Sequence, residues 1–156
     1  MTVNTASGAK LYIGGTNSNR DSVLADYVAD SYIEVGEIED LGEFGDESER
    51  ITFTALSDGR VRKFKGPRDA GEMPIVVGDD PTDEGQVAME AAEASPLDYN
   101  FKVELNDALT IGGTDSVHYF IGKVFSKRRN VGNASNVVRR NFAVGINSAI
   151  TAVDPT

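Results

Sequence analysis

Short runs that alternate apolar and polar residues, glycine and proline turns between them, and one segment with helix-capping chemistry predict a mainly β protein. The expected architecture is a β-sandwich or small barrel of about seven strands with one flanking α-helix. A length of 156 residues suits a single domain, residues 1–156, able to bury a core. Its balance of 40% hydrophobic to 26% charged residues is that of a chain that folds, not one that stays disordered.

Residues 1–8 are small and polar and read as a flexible N-terminal arm, with neither the basic nor the apolar region of a signal peptide. Ala9–Ile13 is a short strand closed by Gly14 and Gly15. Asp21–Asp30 suits a short helix or a loop, and Ser31–Val35 alternates as a strand. Residues 36–49 hold three glycines, seven acids and only three apolar side chains, Ile38, Leu41 and Phe44, so a long mobile acidic loop or extended hairpin outside the core is expected. Ile51, Phe53 and Ala55 alternate with Thr52 and Thr54 as a half-buried strand, Ser57-Asp58-Gly59 turns, and a basic strand Arg60–Lys65 returns until Gly66-Pro67. Glu72–Val77 is a strand that Pro74 assigns to an edge or a bulge.

The one helix begins at Asp80-Pro81, where an aspartate can cap free N–H groups and proline suits the first turn; Pro96 ends it. Val87, Ala88, Ala91, Ala92 and Ser95 form its expected inner stripe, with Gln86, Glu90 and Glu93 facing out. Tyr99, Phe101, Val103 and Leu105 make the cleanest alternation in the chain. Asp107–Ser116 connects it to a long strand Val117–Arg129, and after a turn at 130–136 a last long strand runs from Val137 towards Val153, leaving residues 151–156 as a C-terminal arm.

Charge is sorted by sign along this pattern. Ten acids and no Lys or Arg lie between Asp26 and Glu49, whereas Ser116–Val153 carries six basic residues and no acid. The net charge of −10 disfavours nucleic acid as a tightly held ligand, though not as something that passes nearby. Arg60, Arg62, Lys63, Lys127, Arg128, Arg129, Arg139 and Arg140 are therefore read as partners for acids of a neighbouring subunit, an arrangement that fixes register more than it adds affinity. Successive strand residues point to opposite faces, which splits each basic cluster and weakens a nucleic-acid reading further.

Nothing in the chain points to catalysis, a cofactor or a metal. Cysteine is absent, which removes disulfides and thiolate chemistry. The acidic run 78–85 lacks the turning glycine of a calcium loop and is explained by helix capping. No run of 18 apolar residues suggests a membrane span. Asp115, Ser116 and His118 would be the only material for a relay enzyme, and three near neighbours on one hairpin arm converge poorly. A ligand- or carbohydrate-binding β-sandwich is the other rival, but Trp is absent and the five Tyr are scattered.

The run Val35-Gly36-Glu37-Ile38-Glu39-Asp40-Leu41-Gly42-Glu43-Phe44-Gly45 before Ile51-Thr52-Phe53, then Gly59-Arg60-Val61-Arg62-Lys63 and Gly66-Pro67-Arg68-Asp69-Ala70-Gly71, resembles the tail tube (major tail) proteins of long-tailed non-contractile bacteriophages. Asn130-Val131-Gly132-Asn133 and Val137-Val138-Arg139-Arg140-Asn141-Phe142 extend the likeness, and the order of elements agrees from Ala6 to Val153. The resemblance implies a non-enzymatic subunit whose strands join into an inner β-barrel in hexameric rings. These stack into an electronegative tube through which viral DNA is ejected without being bound. It also implies the chain itself as main partner, with tape measure, terminator and distal tail proteins, and a place in the virion tail after assembly in the host cytoplasm. By position, Glu37, Glu39, Asp40, Glu43, Phe44, Asp46, Glu47 and Glu49 would be the ring-stacking residues, and the two arms would join subunits.

Overall fold

The computed structural model describes residues 3–156; Met1 and Thr2, the start of the expected arm, lie outside the described residues. The protein is mainly β, as its sequence pattern predicts, but with ten strands and two helices among the described residues where about seven and one were expected. Strand β1 (Lys10–Thr16) leads to a one-turn helix α1 (Leu24–Val28), then to β2 (Ile33–Val35) and β3 (Ile38–Asp40). β4 (Glu47–Thr54) and β5 (Val61–Asp69) form a hairpin, followed by β6 (Glu72–Gly78) and helix α2 (Glu84–Ala94). The chain ends with β7 (Tyr99–Glu104), β8 (Val117–Asn130), β9 (Arg139–Ile146) and β10 (Thr151–Val153).

The main sheet has the antiparallel order β2-β1-β7-β8-β9-β6-β3. Its two edges, β2 and β3, are consecutive in the chain and separated only by Gly36 and Glu37. Laid flat, seven strands would set those edges about 29 Å apart, at about 4.8 Å per strand. Three Cα steps reach at most about 11 Å. The sheet therefore has to curl until its edges nearly meet, which makes it a small barrel rather than a flat layer. Glu37, at the crossing, has φ 57°, the one non-glycine residue with positive φ among the described residues.

Helix α2 latches the seam. Gln86 is fully buried; its amide donates to the carbonyls of Gly36 (3.1 Å) and Gly78 (2.8 Å) and accepts from the N–H of Asp80 (3.1 Å). Asp83 caps the helix by accepting from Gln86 N–H (2.9 Å), and the same oxygen takes Gly36 N–H (3.0 Å). Gly85 permits the close approach, since a Cβ there would lie 2.1 Å from the Glu34 carbonyl oxygen. These contacts correct two helix expectations. The cap is Asp83 rather than Asp80, whose carboxylate instead holds Thr82 in a turn, and Gln86 faces inward while Val87 is half exposed.

Inside the barrel lie Leu11, Val35, Met73, Val77, Phe101, Phe120 and Val144, with Met89 and Ala92 supplied by α2; Phe101 and Phe120 stack at 5.5 Å. β8 is covered on both faces. Phe120 and Val124 point inward, while Tyr119 and Ile121 meet Tyr27 of α1, whose ring stacks on Tyr119 at 5.5 Å. Burial, with Asp30 nearby, raises the Tyr32 phenol above its ordinary value, and its hydroxyl donates to the Tyr27 carbonyl. β1 continues through Gly14 and Gly15, which the sequence pattern took as its end, because the absent side chains leave room for Asp30 and Tyr32.

The last strand is interrupted, so β10 follows β9 along the same edge of β8 after a break at 147–150. Residues 151–156, expected as an arm, lie on the body: the Leu109 N–H donates to the Thr156 carbonyl, and the Thr156 N–H to that of Thr114. β6 is flanked by β9 and β3 rather than standing at an edge; β3 reaches only to Val76, so Pro74 faces no ladder on that side. The 107–116 connection is set by two carboxylates: Asp115 accepts the N–H groups of Asp107 and Ala108, and Asp107 accepts both the N–H and the hydroxyl of Ser116 (2.7 Å each). The Ser116 hydroxyl, then its N–H, hold the Asp107 carboxyl below the usual carboxylate value.

Replacing Gln86 by Leu leaves two carbonyls and one N–H without their partners. It is expected to lower stability by about 2–4 kcal/mol in urea unfolding, whereas Val87→Ala stays within about 1 kcal/mol. The lowered Asp107 carboxyl contributes stability that is complete above the unfolded value near pH 4 and fades as pH falls through the lower folded value. Melting temperature followed from pH 7 to 2 should therefore fall less steeply below pH 4 in Asp107→Asn than in the native chain.

Candidate assembly interface

The β4–β5 hairpin takes no part in the barrel and forms a separate two-stranded sheet. Its residues are almost all exposed, which corrects the expectation of a half-buried strand at 51–55. Ladder partners share a face, so Ile51 opposite Phe64 and Phe53 opposite Arg62 make one side. Arg50 opposite Lys65, Thr52 opposite Lys63 and Thr54 opposite Val61 make the other. Ile51, Phe53 and Phe64 are each about half exposed (46, 55 and 55%), and Leu56 in the turn is fully exposed. Covering the remaining half of each of the first three would contribute on the order of 1 kcal/mol apiece. Isolated two-stranded hairpins are marginal in water, and covering this apolar face would stabilise the hairpin.

Locally the hairpin is well specified. Its turn closes with the Gly59 N–H donating to the Ala55 carbonyl, and Gly59 adopts φ 62°. Asp58 accepts from the Arg60 N–H and the Arg62 guanidinium, and these bonds lower its carboxyl from the ordinary value. Threonine, isoleucine, phenylalanine and valine supply β-propensity along both strands.

Charge separates the hairpin from the body. Residues 50–65 contain five cations (Arg50, Arg60, Arg62, Lys63, Lys65) and one acid, Asp58, a net +4 within a chain of −10. The remainder of the chain therefore carries −14. Seven Lys or Arg have no ion pair among the described residues, and four of them, Arg50, Arg60, Lys63 and Lys65, are on this hairpin.

The other basic residues expected at an interface are mostly engaged within the chain. Arg140, nearly buried, binds Asp79 (2.6 Å) and Glu90 (3.2 Å), and Arg129 also reaches Asp79 (3.0 Å). Lys127 reaches Glu90 (3.3 Å) and Glu93 (3.9 Å), and Arg139 pairs with Glu39. These pairs fasten α2 and β3 to the β8–β9 hairpin. Spacing had no means of showing them, because their acids lie 34 to 100 residues away in the chain. Arg128 has no ion pair among the described residues, and Arg62 pairs only with Asp58 across the turn.

The acidic segment is not one long mobile loop, as its composition suggested. Glu39 and Asp40 belong to β3, Glu37 to the crossing, and Glu47 and Glu49 to β4. Ile38, Leu41 and Phe44 all pack on the core, Phe44 against Phe120 and edge-on to His118 at 5.5 Å. Besides the crossing at 36–37 only residues 41–46 are irregular, and there Asp46 pairs with Arg68 (3.0 Å). At the root of the hairpin, Glu43, Glu47 and Glu72 rim a groove floored by Phe44, Ala70 and Pro74.

No relay forms at the lone histidine. Ser116 donates to Asp107 rather than to His118, and Asp115 is occupied by backbone N–H groups. No group of three His, Cys, Asp or Glu that could hold a metal occurs among the described residues, and no helix there is long and apolar enough to cross a membrane.

No protein-family model matches the chain, and no curated protein matches it in sequence. Solved structures do match its fold. A component of the anti-feeding prophage baseplate aligns over 99% of this chain and 98% of its own, with TM-score 0.71 at 9% identity. A chain from the sheath/tube terminator of an extracellular contractile injection system aligns over 98% of each, with TM-score 0.68 at 9% identity. The SPP1 tail tube protein aligns over 94% of this chain and 77% of its own, with TM-score 0.60 at 10% identity. These neighbours come from a prophage baseplate, a contractile injection system and a tail tube, a wider group than the non-contractile tails that the sequence resembles. The chain has the tail-tube fold.

Proposed function

We propose that this protein is a structural, non-enzymatic subunit of a bacteriophage tail tube, which self-assembles into stacked hexameric rings around a conduit for DNA ejection. The observation that carries the reading is the β4–β5 hairpin, whose apolar face is left about half exposed among the described residues. A fold shared with tube components over almost the whole chain supports it. Ring closure gives exposed strands a partner and removes free edges, which otherwise invite uncontrolled pairing.

The net charge of −10 suits an electronegative wall. DNA within a Debye length of such a surface, about 8 Å at physiological salt, is repelled rather than held. In this reading Glu43, Phe44, Asp46, Glu47 and Glu49, at the root of the hairpin, belong to the stacking contact with Arg60, Arg62, Lys63 and Arg128. Glu37, Glu39, Asp40, Lys127, Arg129, Arg139 and Arg140 act by holding the body in shape. Tape measure, terminator and distal tail proteins are the further partners, and the virion tail is the destination after assembly in the host cytoplasm.

Negative-stain microscopy of the concentrated protein should show tubes of uniform diameter, and a strictly monomeric protein under all assembly conditions would overturn the reading. Replacing Ile51, Phe53 and Phe64 together by Thr should leave the monomer's melting temperature within a few degrees, because these residues lie outside the core. The same change should abolish the tubes.

A further inference from the structure

Near the turn that joins β8 to β9, a cleft of about 100 Å³ opens between those strands and α2, lined by Lys127, Arg128, Arg129, Arg140 and Glu90. Register brings its charges together, since Arg129 stands directly opposite Arg140 in the ladder, where like charges repel. Asp79 answers both guanidiniums, at 3.0 and 2.6 Å, and Glu90 is likewise shared between Arg140 and Lys127, at 3.2 and 3.3 Å. Glu93 adds one longer contact to Lys127 at 3.9 Å. Among the described residues, three carboxylates within ion-pair distance thus serve four cations. Arg128 is exposed and pairs with none of them, and the buried Arg140 keeps an Nε–H with no acceptor among the described residues. A surplus of cations around a cleft is the reverse of the chain's net −10, and its self-repulsion is relieved by an anion.

Donor chemistry and size select the ligand. Guanidiniums present paired N–H groups that match the oxygens of a phosphate-type anion, and a lysine adds a point charge. The cleft has room for about three waters at roughly 30 Å³ each, which suits one phosphate group and not a nucleotide. We propose that this cleft binds a free phosphate-type oxyanion, with Arg128, Arg129 and Lys127 as donors and the Arg140 charge behind them. Bound there, the ion offsets the repulsion between the β8 and β9 cations and strengthens the fastening of α2, the helix that closes the barrel seam. The site is independent of the β4–β5 hairpin and of the tube reading. A DNA backbone carries the same phosphate chemistry, but a duplex cannot bring one phosphate into so small a cleft without setting its others against a chain of −10.

Calorimetric titration of inorganic phosphate into the native protein, in chloride buffer at constant ionic strength, should show one saturable site per chain. Arg128→Ala should weaken it at least fivefold and Arg128→Glu should abolish it. Circular dichroism should show both variants folded, as expected for an exposed side chain without an ion pair. Lys10→Ala, which removes an exposed cation from β1, should leave the affinity unchanged. Phosphate at ten times its dissociation constant should raise the native melting temperature by about 3–6 °C over chloride, a gain that Arg128→Glu lacks. No saturable uptake by the native protein, or uptake and melting gain preserved in Arg128→Glu, would overturn the site. A short DNA duplex that displaces phosphate at equal phosphate concentration would overturn the choice of a free ion.

Discussion

The fold depends on a two-residue crossing. Gly36 and Glu37 carry the chain from one edge of a seven-strand sheet to the other, and no flat sheet can accommodate so short a step. Closure follows, and with it the demand for something to occupy the seam, because β2 and β3 share no ladder. Helix α2 meets that demand with Asp83 and Gln86, whose side chains satisfy backbone groups of the crossing at Gly36 and of β6 at Gly78, and with Gly85, which lets helix and strand backbones touch. A buried polar side chain is worth retaining here because each of its bonds joins parts that would otherwise separate.

Closure also decides what remains outside. The seven strands fill the wall, α2 and the inward side chains fill the interior, and the β4–β5 hairpin leaves the body between β3 and β6 with no inner surface to rest on. The basic residues of β8 and β9 are mostly consumed in holding α2 and β3, so the cations left over are concentrated on the projecting arm. The charge and apolar surface that the proposed assembly would use is therefore a by-product of how the body is tied together. An arm with apolar residues and positive charge stands on a body of opposite sign.

Much of this was legible in the sequence. Alternation at Tyr99–Leu105 gave β7 nearly to the residue, because a strand facing a single core displays a period of two; the run Val117–Arg129 matched β8 as closely as a long strand, although its buried half is covered on both faces. Reading the acids of 36–49 as a free loop failed for a physical reason: three apolar residues, Ile38, Leu41 and Phe44, suffice to pin a segment whose other side chains face solvent. The alternation at Ile51–Ala55 misled in the opposite sense, since the same pattern serves a strand whose apolar face lies outside the core. Gln86 was invisible as a latch, because nothing local distinguishes a buried glutamine from an exposed one; its partners at Gly36 and Gly78 are set by topology. The ion pairs of Arg129 and Arg140 with Asp79 likewise arise only once β6, β8 and β9 are neighbours.

Amide hydrogen exchange, compared between monomer and assembled polymer, tests the central claim that the hairpin is completed by another copy. The account predicts fast exchange for residues 50–65 in the monomer beside slow exchange in β7, β8 and β9, and strong protection of 50–65 in the polymer. Hairpin amides that exchange equally fast in both states would contradict it.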